Sequence, residues 1–354
     1  MVKIKEETLE NIEKLIDLGY IRRRKHPYHN LWLLSHTKKC RIGNNWTNET
    51  LTCNGLIVDA ENFIVERPFS KVREFNRIQI PNTQFTTSVK HDGIMGILYF
   101  IGNEPYIATK SGFSNKIAMK ATEIFRRKYR HVFEVMWLET STYTYVFEII
   151  CKETKFIVDY KGEEDLVLLA RINKDTGEDG DLGVVEKIGL RIAKPVEFNN
   201  IDQMLATAAS NQEGYVMLFN NGLRVNVKFP EYRRLYPLLT GISLWDIWTC
   251  LSGKIPYSKS LIDVPRDFLT WIQKSESNFA NRYRDTDEYC KRRSKLIRNM
   301  IFRDDAQIRV VIQREPKYEN IITLYLEERF GAYERAIWQA IKPAKKVTYI
   351  KERH

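Results

Sequence analysis

The apolar residues of this chain recur with two periods, and the points where the period changes mark its elements. Over residues 6–18, Leu9, Ile12, Leu15 and Ile16 stand at helical spacing and Gly19 ends the run, which predicts an opening amphipathic helix. The apolar run from Leu31 to Thr37, closed by Lys38 and Lys39, predicts a strand within residues 28–40. Leu56 to Glu66 carries two β-prone runs around Asp59-Ala60-Glu61-Asn62, the pattern of a hairpin. Thr86 to Val89 predicts a strand ending at Lys90, because Asp92-Gly93 is a turn pair. Ile94 to Phe100 and Pro105 to Ala108 extend the sheet. Residues 115–138 repeat apolar positions from Ile117 to Met136 at helical spacing and predict one helix with a basic outer face.

Further strands are predicted at Thr144 to Ile150, Ile157 to Tyr160 and Leu166 to Ala170, followed by an Asp-, Glu- and Gly-rich mobile surface connection from Asn173 to Gly183. Glu213 to Leu218 and Leu223 to Lys228 flank Asn220-Asn221-Gly222, whose Asn-Gly step marks a hairpin. Alternation then puts Arg224, Asn226 and Lys228 on one face, expected to be that of a cleft. Beyond residue 236 the spacing is helical only, through Trp245, Phe268 to Ile272, Tyr289 to Ile301 and Ile321 to Ile341. The fold class is α+β: mainly antiparallel sheets with flanking helices over residues 1–238, then an all-α domain over residues 239–354.

Composition narrows the function. At 354 residues and 43% hydrophobic the chain can bury a core in two domains, and no run approaches a membrane span. The first residues lack the apolar core of a signal peptide, so the expected location is the cytoplasm. Five scattered cysteines without a Cys-x-x-Cys pair read as reduced thiols and exclude a structural zinc site of that type. A net charge of +11 favours a polyanionic partner, nucleic acid above all, although ordinary surface charge gives the same total. The pattern fixes no oligomeric state.

Candidate chemistry centres on Lys90-His91-Asp92-Gly93. A lysine at a strand end facing a cleft is placed as a nucleophile, and its amine attacks phosphorus only when neutral, so cations or burial must lower its pKa. Glu148 sits alone among apolar strand residues and must find a partner to be buried. Glu213, at a strand start, suits Mg²⁺. His36 beside an apolar run reads as a core or surface histidine. In the helical region Arg282, Arg284, Lys291, Arg292, Arg293, Lys295 and Arg298, with Tyr283 and Tyr289 among them, make either an RNA platform or a solvated helix surface.

Six short motifs in order, Cys53-Asn54-Gly55, Arg67-Pro68-Phe69-Ser70-Lys71, Lys90-His91-Asp92-Gly93, Thr109-Lys110-Ser111, Tyr145-Val146-Phe147-Glu148 with Glu213-Gly214-Tyr215-Val216, and Val225-Asn226-Val227-Lys228, resemble the ATP-dependent RNA ligases of the phage tRNA-repair type. Those belong to the lysine-AMP nucleotidyltransferases, with DNA ligases and mRNA-capping enzymes. The resemblance covers about residues 28–236. It implies adenylylation of Lys90 by ATP with Mg²⁺ or Mn²⁺, then joining of RNA 5′-phosphate and 3′-hydroxyl ends. It also implies that Lys71 and Lys110 reach the triphosphate, that Lys228 holds the α-phosphate and depresses the Lys90 pKa, and that Asp92 and Gly93 shape the turn. Glu148 would serve ribose and metal, Glu213 metal, and Tyr232 would pack by the nucleotide. The chain departs from the pattern where Asn54 and Asn226 replace an arginine and a lysine, with Arg224 or Arg73 as compensating cations. Other acceptors, nicked DNA or an RNA cap, and a non-catalytic RNA-binding role remain alternatives.

Overall fold

Where the apolar alternation is strict the chain pairs its strands, and among the described residues the pairings form three four-stranded sheets. The structure, a computed structural model, describes residues 2–198, 200–207, 209, 211–302 and 304–350. The strands are β1 (Ile21–Lys25), β2 (Leu31–His36), β3 (Asn54–Asp59), β4 (Ile64–Glu66), β5 (Arg73–Glu74), β6 (Phe85–Lys90), β7 (Ile94–Ile101), β8 (Glu104–Thr109), β9 (Tyr143–Ile150), β10 (Asp165–Asn173), β11 (Gly214–Phe219) and β12 (Arg224–Lys228). The sheets run β1-β2-β3-β4, β10-β9-β7-β8 and β5-β12-β11-β6. Neighbours are antiparallel except β5 and β12, which are parallel.

Alternation decides which face of each sheet is core. Leu33, Ile57, Ile97, Tyr99 and Ala108 form one buried cluster drawn from the first and second sheets. On β9, Tyr145, Phe147 and Ile149 pack with Ile124 and Phe125 of the helix Lys116–Lys128. Glu148 therefore points away from that helix. In the third sheet Val89, Tyr215, Met217, Val225 and Val227 share a core, which leaves Lys90, Arg224, Asn226 and Lys228 on the opposite face.

Three expectations need correction. Residues 115–138 are not one helix: Lys116–Lys128 ends at Tyr129, whose φ of −118° leaves the helical region, and a second helix occupies Phe133–Glu139. The Tyr129 hydroxyl donates to Asp165 Oδ1 at 2.7 Å, an anchor that a continuing helix would carry away. Ile157 to Tyr160 is not a strand, because the backbone N–H groups of Ile157 and Val158 donate to Asp92 instead of to a neighbouring strand. The connection after Asn173 is no mere surface loop. Lys174 is buried and ion-paired to Glu66 Oε1 at 3.0 Å, and Thr144 Oγ1 donates to Glu66 Oε2 at 2.7 Å.

The chain divides into two compact units, Met1–Arg234 and Leu235–His354. The second is built from helices Leu244–Ser252, Arg266–Arg298, Asp305–Gln313, Glu319–Leu326 and Phe330–Ala340 around a core that includes Cys290, Ile297, Ile322 and Ile337. Tyr283 and Tyr289 turn into it against Trp338 and Tyr318. All five cysteines are free, and among the described residues no helix is long and apolar enough to cross a membrane.

Candidate active site

Three strands of the third sheet bring two lysines into one row. Lys90, the last residue of β6, lies across from Gly214 on β11, and Gly214 lies across from Lys228 on β12. Glu213 precedes that glycine and serves both lysines, with Oε2 3.1 Å from Lys90 Nζ and Oε1 3.3 Å from Lys228 Nζ. The row demands glycine at its centre. Gly214 has φ +150°, and a Cβ there would lie 1.9 Å from the Val227 carbonyl oxygen.

Asp92 fixes the turn behind Lys90. Its carboxylate, almost fully buried, accepts from the backbone N–H groups of Ile157 and Val158 at 2.7 and 2.8 Å and from the Tyr232 hydroxyl at 2.7 Å. Its own N–H donates to the Tyr160 hydroxyl at 2.8 Å. Tyr232 is thus a buried brace on Asp92, with Lys228 Nζ 5.6 Å from its ring centroid. Gly93 leaves room for a neighbour, since a Cβ on it would meet Glu148 Cγ at 2.9 Å and the Ile149 carbonyl at 2.5 Å.

Glu148 has its partners in charge, Lys90 and Lys110, and not in a bond. It is buried without a hydrogen bond or ion pair to any described residue, and burial, with Lys90 attraction only partly offsetting it, pushes its carboxyl up to about 8. Lys90 departs from expectation. Burial disfavours its charge, yet the Glu213 and Glu148 carboxylates outweigh burial, so its pKa stands above the ordinary lysine value. The depression expected from Lys228 is absent because Glu213 stands between the two ammonium groups and neutralises part of their repulsion.

The depressed amines are two others. Burial, reinforced by nearby cations, brings Lys71 and Lys110 down to about 8. Lys71 Nζ donates to the Val72 carbonyl at 2.7 Å, and Lys110 Nζ to Asn54 Oδ1 at 3.2 Å. Asn54 is buried, with its Nδ2 on the Phe69 carbonyl at 3.0 Å, and so orients Lys110 instead of leaving a vacancy where a cation should be. Asn226 Nδ2 donates to Glu74 Oε1 at 3.3 Å, and Lys228 Nζ lies 3.9 Å from that oxygen. Arg224 is no spare cation: it is ion-paired with Asp179 and its guanidinium lies 4.5 Å from the Phe69 ring centroid. Arg73 forms the short strand beside Val225.

The structure therefore groups Lys90, Lys228, Glu213, Glu148, Asp92 and Gly93 with Lys71, Lys110, Asn54 and Asn226, and assigns Arg224 and Tyr232 to support. Sequence reading missed three neighbours. Glu74 ends the short strand β5, three residues after Lys71. Arg41, in the basic stretch Lys38–Ile42, is close enough to lower both Lys110 and His36. His36 itself stands beside this cationic group; burial, then Lys110 and Lys71, hold its imidazole down at about 4, and its buried Nδ1 has no hydrogen-bond partner. Only the cluster of basic residues around Arg41 offered a signal, and it carried no period.

Among the described residues no three His, Cys, Asp or Glu side chains converge as a metal site. Two carboxylates do face Lys90, and Mg²⁺ is commonly held by one or two carboxylates together with substrate phosphates. The unpaired, buried Glu148 carboxyl fits that donor set.

No family model and no curated protein matches the chain. Solved structures do. An archaeal ATP-dependent RNA ligase aligns with a TM-score of 0.48 at 13% identity, over 93% of this chain and 83% of that one. A chain of Aquifex aeolicus assigned as an ATP-dependent DNA ligase aligns at 0.45 and 12%, over 94% and 76%. An RNA ligase of Naegleria gruberi, solved with AMP and Mn, aligns at 0.35 and 12%, over 66% and 83%. Likeness at that level leaves the chemistry to be read from this protein's own side chains.

Proposed function

We propose that this protein is an ATP-dependent RNA ligase that joins 5′-phosphate and 3′-hydroxyl ends, in the repair of broken RNA such as tRNA. The observation that carries the reading is the row Lys90–Glu213–Lys228, with Lys71 and Lys110 beside it: a nucleophilic amine, an acceptor for its proton at 3.1 Å, and cations for a triphosphate. Phosphoryl transfer asks a protein mainly for position and charge neutralisation, which this arrangement supplies.

Lys90 gives one ammonium proton to Glu213, its neutral Nζ attacks the α-phosphorus of ATP, and the second proton leaves the nitrogen to solvent as the phosphoramidate forms. The N–P bond forms, the bond to the bridging oxygen breaks, and pyrophosphate leaves. AMP then passes to an RNA 5′-phosphate, and an RNA 3′-hydroxyl displaces AMP to form the phosphodiester. Lys228 steadies the α-phosphate; Lys71 and Lys110, held by the Val72 carbonyl and Asn54, take the departing phosphates. Glu148 would hold Mg²⁺, or Mn²⁺ in its stead, with Glu213 as second carboxylate whenever it does not carry the Lys90 proton; when bound, the ion supplies positive charge to the phosphates.

A nucleic-acid acceptor is supported by the net charge of +11, and RNA over DNA by the order of the short motifs. The test is intact mass after incubation with ATP and Mg²⁺: a gain equal to AMP is expected in the wild type, none in Lys90→Ala, and none with GTP. Offered a 5′-phosphorylated RNA and a nicked DNA duplex, the enzyme should seal the RNA. Absence of the adduct, or sealing confined to DNA, ends the proposal.

A further inference from the structure

The basic residues in the middle of the helix Arg266–Arg298 look in sequence like a continuous RNA platform, yet three of the seven are ion-paired within the protein. Lys291 Nζ is 2.8 Å from Asp287 Oδ2, Arg293 Nε 3.2 Å from Glu315 Oε1, and Arg298 Nη2 3.3 Å from Glu328 Oε1. Tyr289 Oη donates to Glu315 Oε2 at 2.8 Å, and both tyrosines of the stretch pack inward. Those three cations are spent on the protein's own carboxylates.

Nearer the start of the same helix the chemistry differs. Trp271, Lys274, Asn278, Phe279 and Arg282 share a helical face and, with Pro343, line a cavity of about 320 Å³. No carboxylate lines it. The Arg282 guanidinium lies over the Phe279 ring at 6.0 Å, and Trp271 stacks on Phe268 at 5.9 Å between centroids, which fixes the indole. Lys274, Asn278 and Arg282 are exposed at the rim, whereas Phe279 is buried in the floor.

We propose that this cavity is a binding slot for one nucleotide of a single-stranded RNA. The volume is at the lower end of small-ligand sites, roughly 300–1,000 Å³, and holds a base with its sugar but not a folded partner. Aromatic walls accept any base by stacking, two cations take the flanking phosphates, and the Asn278 amide can donate to and accept from a base edge. Two uncompensated positive charges at the mouth select against acidic-poor peptides and for a polyanion. The proposal rests on the ligase reading for its biological sense: the slot would hold the strand to be joined.

The test uses the full-length protein and a fluorescent 5′-phosphorylated RNA 12-mer, with anisotropy read at several salt concentrations. Lys274→Gln with Arg282→Gln removes both rim cations at exposed positions; Arg284→Gln with Lys291→Gln removes the same charge outside the slot. The slot variant should bind roughly tenfold more weakly near 0.1 M salt, with a salt slope shallower by about 1.4 for two lost phosphate contacts. The control pair should bind as the wild type does. RNA carrying 4-thiouridine should photocrosslink to the peptide containing Trp271.

Equal binding by wild type and slot variant, equal loss in the control, a crosslink elsewhere, or no RNA binding by the wild type each overturns the slot. Lys90-AMP formation is measured in parallel and should be unchanged in both variants. Lost RNA binding in the slot variant from a protein that never forms the adduct would sink the ligase reading and keep the slot. Normal adduct and sealing with an unaffected slot variant would do the reverse.

Discussion

Lys90 Nζ lies 3.1 Å from Glu213 Oε2, so the proposed nucleophile rests as an ammonium held by a carboxylate and not as a free amine. The consequence reverses a simple expectation about reactivity. In the free protein the neutral amines near pH 8 belong to Lys71 and Lys110, brought down to about 8 by burial, whereas Lys90 stays charged. An amine-acylating reagent applied at pH 8 without ATP should modify Lys71 and Lys110 well before Lys90, as read by peptide mass spectrometry. Faster labelling of Lys90 would contradict the ion pair as the resting state.

Glu148 makes stability depend on pH in an unusual sense. Its carboxyl is pushed up to about 8 in the fold from an ordinary 4.5, and that of Glu66 up to about 7. Between those limits the folded protein holds protons that the unfolded chain has lost, so stability declines as pH rises through this window. Glu148→Gln should therefore raise the melting temperature at pH 8 more than at pH 5 while impairing adenylylation. A melting temperature lowered by the substitution at pH 8 would refute the unpaired burial of this carboxyl.

Two glycines separate backbone freedom from space. Both have positive φ, but a Cβ at Gly214 would collide with the Val227 carbonyl while one at Gly222 meets nothing within 4 Å. Gly222→Ala should cost about 1 kcal/mol, the left-handed penalty alone. Gly214→Ala should cost roughly 3 kcal/mol or more and pull the Lys90–Lys228 row apart. Chemical denaturation of the two variants gives the comparison, and similar losses would show that the close approach is not real.

Asn54→Arg, which sequence reasoning offers as a repair of a missing cation, should instead harm the protein. Asn54 is 2% exposed and both ends of its amide are used, on Lys110 and on the Phe69 carbonyl. An arginine there buries a second charge beside Lys110, so lower stability and slower Lys-AMP formation are expected. A rate above wild type would restore the earlier reading. Arg224→Ala should likewise cost stability through Asp179 and Phe69, with the KM for ATP unchanged.

How far the sequence could be read follows from what each residue leans on. The hairpin of β11 and β12, the strand ending at Lys90 and the helical second unit all rest on local alternation and turn chemistry, and those signals are written in neighbouring residues. The pairing of Lys90 with Glu213 was not legible, nor that of Arg224 with Asp179, because no local pattern encodes which distant charge fills the same volume. Ile157 to Tyr160 looked like a strand for the same reason: its β-prone residues are real, but a carboxylate more than sixty residues earlier takes its N–H groups. The break at Tyr129 likewise depends on Asp165.

Strand β6 has β11 as its neighbour in the sheet, through a register that joins Lys90 to Gly214. During synthesis the ribosome delivers that partner roughly 120 residues later, about 6–24 s at ordinary elongation rates. Throughout that interval the strand that ends at Lys90 lacks its sheet neighbour, and the turn at Asp92 waits for Tyr160 and then Tyr232 to arrive. A nascent chain released before Gly214 would carry the reactive lysine without a site, so competence for AMP transfer should switch on over a narrow range of chain lengths near the end of the first unit.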